Sequence, residues 1–536
     1  MKNLTLFLSI LIGVAACSPK SNKETSELTG PNIIFIMSDD HAYQAISAYG
    51  SDLIQTPNID RLADEGMRFD HAYVTNSICA PSRAVILTGK FSHLNGVTDN
   101  IDAFDSSQVT FTKILQKNGY QSAIVGKWHL KSAPTGFDYW KVLPDQGNYY
   151  QPEFRTPEGI VKEQGYVTDI ITNEAIKFLD SARNKSKPFV LLYQHKAPHR
   201  EWWPAMEDLR AFKDHKIPEP TTLFDDYSNR GTAAKEAEML ISENMGLTSD
   251  NKIHPDIATS HGFVSFLDWY DRVYLSQYDR LTDEEKIKWD EVYGPINEDF
   301  DKNTPKGKEL TRWKYQRYMQ DYLGSIKSVD RNVGRLLKYL DDSGLAENTI
   351  VVYTSDQGFY LGEHGWFDKR FMYEPSFRTP LIIRWPGKIK PHQVNEDLVQ
   401  NLDFAPTLLD AAGAQIPGDM QGKSMLPLFA GEDDNWRDAL YYHYYEYPGI
   451  HMVKRHYGVR TDRYKLIHFY YDVDEWELYD LEKDPEEMNN VYDDSEYADV
   501  RERLHKRLKE LRKQYKDTDE VTQRMLQEDL DRMKNK

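Results

Sequence analysis

Ionisable and amide side chains follow several short apolar runs of this chain, at the point where each run ends. They are Asp39 and Asp40, Lys127 and His129, His195 and His199, and Asp356 and Gln357. Carboxylate and amide oxygens together form a hard ligand set that suits calcium, although an Asp-Asp pair alone is equally typical of a solvated turn. A Lys-x-His segment alone would also be typical of a surface. Their shared position after apolar runs predicts an active site.

Cys79 is one of only two cysteines among the 536 residues, the other being Cys17. If Cys17 has a separate use, Cys79 has no disulfide partner within the chain. The residues after Cys79 could begin a helix, whose N-terminus would favour an anion. An inert buried thiol and a chemically used cysteine are the two interpretations that the cysteine count leaves open.

The first 30 residues have the composition of a targeting segment. Lys2 is followed by an apolar stretch at 4–14, too short to span a bilayer, which ends in Val14-Ala15-Ala16-Cys17. We expect residues 1–16 to be a lipoprotein signal peptide, Cys17 to be lipidated, and 17–30 to be a polar tether. The protein would then be held to the membrane through that lipid only, in the periplasm or at the surface of a Gram-negative bacterium. An ordinary signal peptide with an incidental Cys17 is the alternative.

Composition and charge narrow the class of protein. Hydrophobic residues make up 40% of the chain and aromatic residues 12%, enough for a large core. Lys and Arg number 66 against 85 Asp and Glu, a net charge of −19. That balance argues against a nucleic-acid-binding protein. An anionic substrate would need a local cluster of cations.

The apolar runs predict the sheet that positions these residues. Runs at 31–37, 122–125, 189–193 and 349–354 are typical of buried parallel strands, and 312–340 has the periodicity of a helix. Alternating strands and helices predict an α/β fold with a mostly parallel sheet. Ligands bind beyond the carboxyl ends of such strands, where the polar residues lie. We expect the stretch from about 205 to 305 to form a wall of the cleft.

The texture of the sequence changes near residue 438. Aromatic-rich strand candidates at 457–460, 464–467 and 477–480 precede a charged helix from about 495. We therefore expect a catalytic α/β domain over 31–437 and a smaller α+β domain over 438–536, with an antiparallel sheet.

Two motifs resemble the signatures of the type I sulfatases, in the alkaline phosphatase superfamily. One is Cys79-Ala80-Pro81-Ser82-Arg83, continued by Leu87-Thr88-Gly89, and the other runs from Gly119 through Gly126-Lys127-Trp128-His129. The resemblance extends from about Pro31 into the C-terminal domain. It implies an alkaline-phosphatase-like fold and hydrolysis of sulfate esters.

The resemblance also implies how the site works. A maturation enzyme would convert Cys79 to formylglycine, whose hydrate attacks sulfur, and Arg83 would hold that hydrate. One Ca²⁺ would bind Asp39, Asp40, Asp356, Gln357 and the modified Cys79, although many relatives have Asn at the last position. Lys127 and Lys369 would bind sulfate, His129 would deprotonate the hydrate, and His199 would protonate the leaving oxygen.

The substrate is less determined by sequence. The motifs around His199 and Lys369 look most like carbohydrate sulfatases, including those that act on 6-sulfated N-acetylglucosamine. Asp368, His456 and Arg460 are candidate sugar contacts, and His195 is either a ligand contact or a structural histidine. Trp202, Trp203, Trp366 and the tyrosines at 441–447 could stack on sugars or only pack. Ulvan-type algal polymers and host glycosaminoglycans both remain candidate substrates.

Two other functions are weighed against this one. A phosphodiester or phosphonate monoester hydrolase could use the same fold, and a catalytically silent lipoprotein could bind glycans. The maturation motif argues against a silent binder, which has no need of a modified cysteine.

Overall fold

The computed structural model describes Met1 and residues 30–263, 268–432 and 434–534. The predicted signal peptide beyond Met1, the lipidated Cys17 and nearly all of the tether lie outside this part of the chain. Among the described helices, none combines the length and the hydropathy that a bilayer crossing requires.

The strands are short and distributed along the whole described chain. In order they are β1 (Asn32–Ser38), β2 (Met67–Phe69), β3 (Ala72–Tyr73), β4 (Gln121–Lys127), β5 (Tyr139–Leu143), β6 (Glu153–Thr156), β7 (Gly159–Lys162), β8 (Phe189–Gln194), β9 (Thr349–Ser355), β10 (Tyr360–Leu361), β11 (Phe367–Asp368), β12 (Leu381–Arg384), β13 (Gln393–Asn395), β14 (Val399–Gln400), β15 (Ala439–Tyr444), β16 (His456–Thr461), β17 (Tyr464–Phe469) and β18 (Glu475–Asp480).

The helices lie mainly between these strands. They are α1 (Pro57–Asp64), α2 (Cys79–Thr88), α3 (Ser92–Asn95), α4 (Phe111–Lys117), α5 (Val167–Lys177), α6 (Thr232–Glu236), α7 (Pro255–Ser260), α8 (Asp268–Tyr278), α9 (Asp283–Asn303), α10 (Lys308–Asp342), α11 (Glu374–Phe377), α12 (Phe404–Ala411), α13 (Leu426–Phe429), α14 (Ala498–Gln514) and α15 (Asp519–Lys534).

A ten-stranded mixed, mostly parallel sheet forms the centre of the structure. Its strand order is β13-β2-β12-β9-β1-β8-β4-β5-β6-β7, and the five strands from β9 to β5 are parallel. The four predicted strands are therefore adjacent in this sheet, as β9, β1, β8 and β4. This confirms the predicted α/β class and brings the four carboxyl ends to one edge.

The apolar runs form central strands because both faces of the sheet are covered. On β1, Ile34 and Ile36 belong to a core shared with α5 and α10, while Ile33 and Phe35 belong to a core shared with α2, α4 and α12. Neighbouring residues of a strand point to opposite faces, so a strand covered on both sides is apolar throughout. Helix α10 contains the predicted 312–340 helix.

The long stretch after His199 contributes to the core that is shared with α5 and α10. Helix α9 begins at a capping box formed by Thr282 and Glu285. Its Trp289 stacks on Trp203 with ring centroids 4.1 Å apart. The weak periodicity of this stretch in the sequence thus conceals a helix of 21 residues.

A separate antiparallel sheet lies near the end of the described chain. Its four strands run in the order β15-β16-β17-β18, and α14 packs against it. The predicted strands at 457–460, 464–467 and 477–480 fall within β16, β17 and β18. The predicted antiparallel C-terminal sheet is thereby confirmed.

Candidate active site

Three carboxylates meet where β1 and β9 end. These strands pair in register from Asn32 to Ser38, so that Asp39 and Asp40 emerge beside Asp356. The Asp40 N–H donates to Asp356 Oδ1 over 3.2 Å. One oxygen from each of the three carboxylates lies within 4.8 Å of the others, and all three residues are fully buried. Such a group of buried anions requires cations.

Helix α2 places Cys79 and Arg83 against these carboxylates. Cys79 lies in the first turn, with Sγ 3.6 Å from Asp39 Oδ1. Arg83, one turn later, donates from Nε and Nη2 to Asp356 Oδ2 over 3.0 and 2.8 Å. The Arg83 Nη1 also donates to Gln194 Oε1 over 2.9 Å. The i, i+4 spacing of the motif puts both side chains on one helix face.

Two buried lysines complete the charge around Cys79. Lys127, at the end of β4, forms an ion pair with Asp39 Oδ2. Lys369, directly after β11, forms an ion pair with Asp40 Oδ2 over 2.8 Å. Both side chains are almost fully buried. The cluster contains three carboxylates and three cations, so an added anion can be received without a large excess of negative charge.

The donor set fits a calcium ion. Gln357 Nε2 donates to Asp40 Oδ1, and the Gln357 Oε1 atom is buried without a hydrogen-bond partner. A buried amide oxygen beside three carboxylates is the type of ligand that Ca²⁺ takes. The residues that would hold the ion are Asp39, Asp40, Asp356 and Gln357, together with the modified residue 79 that the resemblance also implies. Gln357, where many relatives have Asn, has its amide group beside Asp40.

Burial and mutual repulsion raise the pKa of two of the three acids, whereas nearby cations lower the pKa of the third. Burial and the charge of Asp39 raise the pKa of Asp356 to about 7. Burial, only partly offset by Lys369, raises the pKa of Asp40. Despite burial, Lys127, His199 and Arg83 hold the pKa of Asp39 well below its usual range. Burial raises the pKa of the Cys79 thiol to about 12, so the unmodified cysteine is a poor nucleophile at neutral pH.

His129 and Lys127 share a partner that sequence reasoning missed. Gln146, in the loop after β5, accepts from Lys127 Nζ over 2.5 Å and lies 3.1 Å from His129 Nε2 through its own Nε2. Burial lowers the pKa of His129 to about 4, so the imidazole is neutral at pH 7 and can accept a proton. A lone glutamine in a loop belongs to no motif, so sequence reasoning had no signal by which to find it.

His199 is held from two sides. Its Nδ1 contacts the Arg200 carbonyl oxygen, and its own carbonyl accepts from Tyr149 Oη over 2.6 Å. His199 Nε2 lies 3.7 Å from Asp40 Oδ2, on the Lys369 side of the cluster. Arg200 in turn forms a two-bond pair with Asp250, both bonds 2.7 Å long. The stretch after 205 therefore reaches the site, through Asp250.

A second polar group lies beside Lys369. Asp368 contacts Arg370 Nε and His451 Nε2, each over 3.3 Å, and Arg370 is also paired with Glu446. All four side chains are at least nine-tenths buried. His451 was not predicted, because its position follows from a turn between β15 and β16 and not from a spacing in the sequence.

Two predicted sugar contacts lie elsewhere. His456 is fully buried, donates from Nδ1 to the Lys454 carbonyl over 2.8 Å and accepts from the Met372 N–H over 3.0 Å. Arg460 lies over the Tyr73 ring, with Nε 3.5 Å from Glu374. Both are used in packing β16 against the large sheet domain, and the structure does not bring them to Cys79.

The remaining candidate residues, His195 and the possible stacking aromatics, are also buried. His195 is fully buried against Tyr193, and neither of its ring nitrogens has a hydrogen-bond partner. His195 directly follows β8. Its ring makes no hydrogen bond to the described residues, so it is not the hydrogen-bonded structural histidine that was one of the two predicted alternatives. The candidate stacking aromatics Trp202, Trp203 and Trp366 are at most 1% exposed, as are Tyr441, Tyr442, Tyr444 and Tyr445. These rings pack in the core.

Two family models match the chain. The model described as sulfatase covers residues 31–414. The model described as N-sulphoglucosamine sulphohydrolase, C-terminal, covers residues 362–514. Together they span the large sheet, the antiparallel sheet and α14.

Individual relatives give the same result. The chain is 51% identical to an N-acetylglucosamine-6-O-sulfatase of Bacteroides thetaiotaomicron, over 96% of this chain and 92% of that protein. It is 25% identical to an ulvan-active sulfatase of Formosa agariphila, over 97% of this chain and 89% of that protein. A solved structure with bound D-glucosamine-2-N,6-O-disulfate superposes with a TM-score of 0.88 at 52% identity, covering 92% of this chain and 99% of that one.

Proposed function

The chain belongs to the sulfatase family of sulfuric ester hydrolases, and from that premise we propose that it hydrolyses the 6-O-sulfate ester of glucosamine in a sulfated glycan. The observation that carries the substrate is the relative that is 51% identical over 96% of this chain and acts on that ester. The relative named for ulvan is half as similar, at 25% identity. The 6-sulfated amino sugar is therefore preferred over ulvan.

Residue 79 is the proposed nucleophile, after conversion of its thiol to formylglycine. The hydrated aldehyde supplies two hydroxyls on one carbon, one to attack sulfur and one whose deprotonation expels sulfate. The chain supplies the surroundings. Arg83 fixes the first turn of α2 against Asp356, and His129, neutral at pH 7, accepts a proton from the hydroxyl on residue 79. Gln146 keeps His129 and Lys127 together.

The cations of the site hold the sulfate. Lys127 and Lys369 are paired with different carboxylates of the cluster, Asp39 and Asp40. Asp39, Asp40, Asp356 and Gln357 would hold Ca²⁺, which supplies positive charge to the ester oxygens when it is bound. Fixed cations in a buried site stabilise charge that develops in the transition state far better than they would in water.

His199 and Lys369 serve the leaving oxygen. They lie on the same side of Asp40, with nitrogen-to-carboxylate distances of 3.7 and 2.8 Å. His199 Nδ1 donates to the Arg200 carbonyl, so Nε2 can deliver a proton only from the imidazolium form. Burial lowers the pKa of His199 well below its ordinary value, so that proton has to be taken up once the anionic ester is bound. A proton delivered there neutralises the alkoxide of the departing sugar.

Asp368, Arg370 and His451 are proposed to recognise the sugar. They adjoin Lys369, and a carboxylate, a guanidinium and an imidazole together can accept from and donate to ring hydroxyls. This assignment keeps Asp368 from the sequence-based set and replaces His456 and Arg460 with Arg370 and His451.

Sulfate release tests the proposal. The substrates are N-acetylglucosamine 6-sulfate, N-sulfated glucosamine 6-sulfate, galactose 6-sulfate, an ulvan oligosaccharide and a phosphodiester, all on one preparation. We expect kcat/KM for the two glucosamine 6-sulfates to exceed that for every other compound. Asp368→Ala should raise KM for the sugar by roughly 10-fold or more, the loss of a buried polar contact.

Each alternative function has its own outcome in that panel. Preference for the ulvan oligosaccharide would replace glucosamine as the substrate. Faster phosphodiester turnover would point to the phosphodiester or phosphonate hydrolase. Binding of the sugars with no sulfate release from a preparation in which Cys79 is converted would favour the silent glycan binder.

We also propose the lipoprotein anchor and the maturation partner as parts of this function. The support for the anchor is the lipobox-like segment that ends in Cys17. Labelled fatty acid should be incorporated into the full chain and not into Cys17→Ala. The partner is an enzyme that converts Cys79, and co-expression with such an enzyme should raise both the converted fraction and the activity in parallel.

A further inference from the structure

Helix α2 carries the nucleophile but has no cap of its own. The residue before it, Ile78, has extended backbone with φ −152° and ψ 143°, and its apolar side chain offers no acceptor to the first turn. Pro81 in that turn has no N–H. The first amides of a helix otherwise lack partners, and a buried N–H without a partner destabilises the fold.

Asn100 supplies the missing acceptor from outside the helix. The N–H of Ala80, the residue next to Cys79, donates to Asn100 Oδ1 over 3.0 Å. Asn100 lies in the loop between α3 and α4, and Ala80 is fully buried. The position of the first turn of α2 therefore depends on the position of this loop.

Two aspartates hold the loop around Asn100. Asp99 Oδ1 accepts from the N–H groups of Ile101 and Asp102, each over 2.8 Å. Asp102 Oδ2 accepts from the Thr98 N–H and Oγ1 over 2.8 and 2.7 Å. The loop thus has a fixed shape, and it places two carboxylates close to each other.

Arg532 neutralises both aspartates from the last described helix. Its Nη1 donates to Asp102 Oδ1 over 2.6 Å, and its Nη2 pairs with Asp99. Helix α15 is itself held by the buried Arg455, which donates to Asp529 over 2.7 Å. Helix α15 lies beyond the residues matched by either family model, which end at 414 and 514.

We propose that Arg532 and Asn100 are positioning residues for the nucleophile, with Arg532 acting through the loop and Asn100 acting on the first turn of α2. The inference rests on the proposed role of residue 79. A guanidinium fork on two carboxylates fixes the loop, the loop fixes Asn100, and Asn100 fixes Ala80 and its neighbour. Small displacements of a reacting group cost large factors in rate.

The test uses the full chain with Cys79 converted. Asn100→Ala should lower kcat by about 10-fold and Arg532→Gln by about 3-fold to 10-fold, with KM changed less than 2-fold, because binding groups are untouched. Arg532→Lys, which keeps one ion pair, should recover part of the loss. Arg524→Gln is the matched control, since Arg524 lies on the same helix and, within the described part of the chain, forms its ion pair with the exposed Glu528 alone. Rates are normalised to the converted fraction of residue 79.

A double-mutant cycle identifies the route. If Arg532 acts through Asn100, the double variant should lose no more kcat than Asn100→Ala alone. Amide hydrogen exchange in the peptide that contains Ala80 should quicken in both single variants and not in Arg524→Gln. Additive losses, an unchanged kcat in Asn100→Ala, or equal losses in Arg524→Gln would each overturn the proposal.

The same kinetics are run on an aryl sulfate, so that the two proposals fail separately. Turnover of the aryl sulfate without turnover of glucosamine 6-sulfates would refute the proposed substrate, while the positioning effect would still be measured. Full turnover of both with no effect of Asn100→Ala would refute the positioning role alone.

Discussion

Two buried clusters of charge in this molecule look alike in composition and differ in use. One surrounds Cys79, where Lys369 is paired with Asp40 over 2.8 Å. The other lies between the antiparallel sheet and the large domain, where Lys465 is paired with Glu487 over 2.5 Å and Glu374 over 2.9 Å. Both lysines are at most 2% exposed.

The clusters differ in what their remaining polar atoms contact. In the interface cluster Tyr73 donates to Glu374 Oε2 and the Glu374 N–H donates to Glu487 Oε2. Glu374 Oε1 has no hydrogen bond within the part of the chain that the structure describes, but it lies 2.9 Å from Lys465 Nζ in an ion pair. Around Cys79, the buried acceptor Gln357 Oε1 has no hydrogen-bond partner among the described residues. A closed cluster supports the fold, whereas one with open acceptors awaits a ligand. Substituting equivalent residues in the two should separate activity from stability.

The largest expected effect is that of Lys369→Ala. Loss of a cation at the sulfate should lower kcat/KM by roughly 10³-fold, about 4 kcal/mol of transition-state stabilisation. The melting temperature should change less than in Lys465→Met, because the calcium ion proposed for this site would still neutralise Asp40. Steady-state kinetics beside thermal unfolding measure both quantities. Unchanged kinetics would show that Lys369 has a structural role, like that of Lys465 in the interface cluster.

Lys465→Met should have the opposite profile. The substitution leaves two buried carboxylates without their cation, which costs about 3–5 kcal/mol of unfolding free energy. Activity per folded molecule should stay within 2-fold of the parent, since Lys465 does not contact the Cys79 cluster. Urea unfolding followed by kinetics below the transition gives both numbers. A large loss of kcat in fully folded protein would show that the interface cluster takes part in catalysis.

Removal of calcium should lower both the activity and the stability that depend on the cluster around Cys79. Without an ion, Asp39, Asp40 and Asp356 repel one another in a buried site. Chelation should abolish activity and lower the unfolding free energy by about 2.7 kcal/mol relative to calcium at 100 times its dissociation constant. Re-addition of Ca²⁺ should restore both. Full activity after exhaustive chelation would remove the metal from the account.

Acid should destabilise the antiparallel sheet through His456, the first residue of β16. Burial lowers the pKa of His456 to about 3, whereas the unfolded chain protonates near its ordinary value of 6.5. Below pH 6.5 the native state therefore binds fewer protons than the unfolded state. The stability that is present above that pH is lost progressively toward pH 3. Between pH 7 and 5 the loss from this residue is about 2 kcal/mol. Urea unfolding across that range should show a smaller decrease for His456→Gln.

The sequence predicted the site around Cys79 better than the packing of the antiparallel sheet against the large domain. The strand ends and the Cys79 and Lys127 motifs are local in sequence, and parallel pairing of β9, β1, β8 and β4 alone brings them together. His456 and Arg460 lie on a strand whose orientation depends on which face packs against the large domain. Alternation along β16 could not decide this, because residues on both of its faces are buried.

Contacts from distant loops were also beyond prediction. Gln146, Asp250 and His451 reach the site from connections without a motif or a periodicity. The long stretch after 205 was expected as a wall of the cleft. Its observed contribution is the carboxylate of Asp250, which binds Arg200, the residue next to His199.

The most direct test of the account compares activity with the state of residue 79. Preparations made with increasing amounts of maturation enzyme would be assayed for sulfate release from N-acetylglucosamine 6-sulfate, and the converted fraction of Cys79 measured by mass spectrometry of its peptide. We expect the rate to rise in proportion to the converted fraction and to extrapolate to zero with unconverted cysteine. A substantial rate from fully unconverted protein would contradict it.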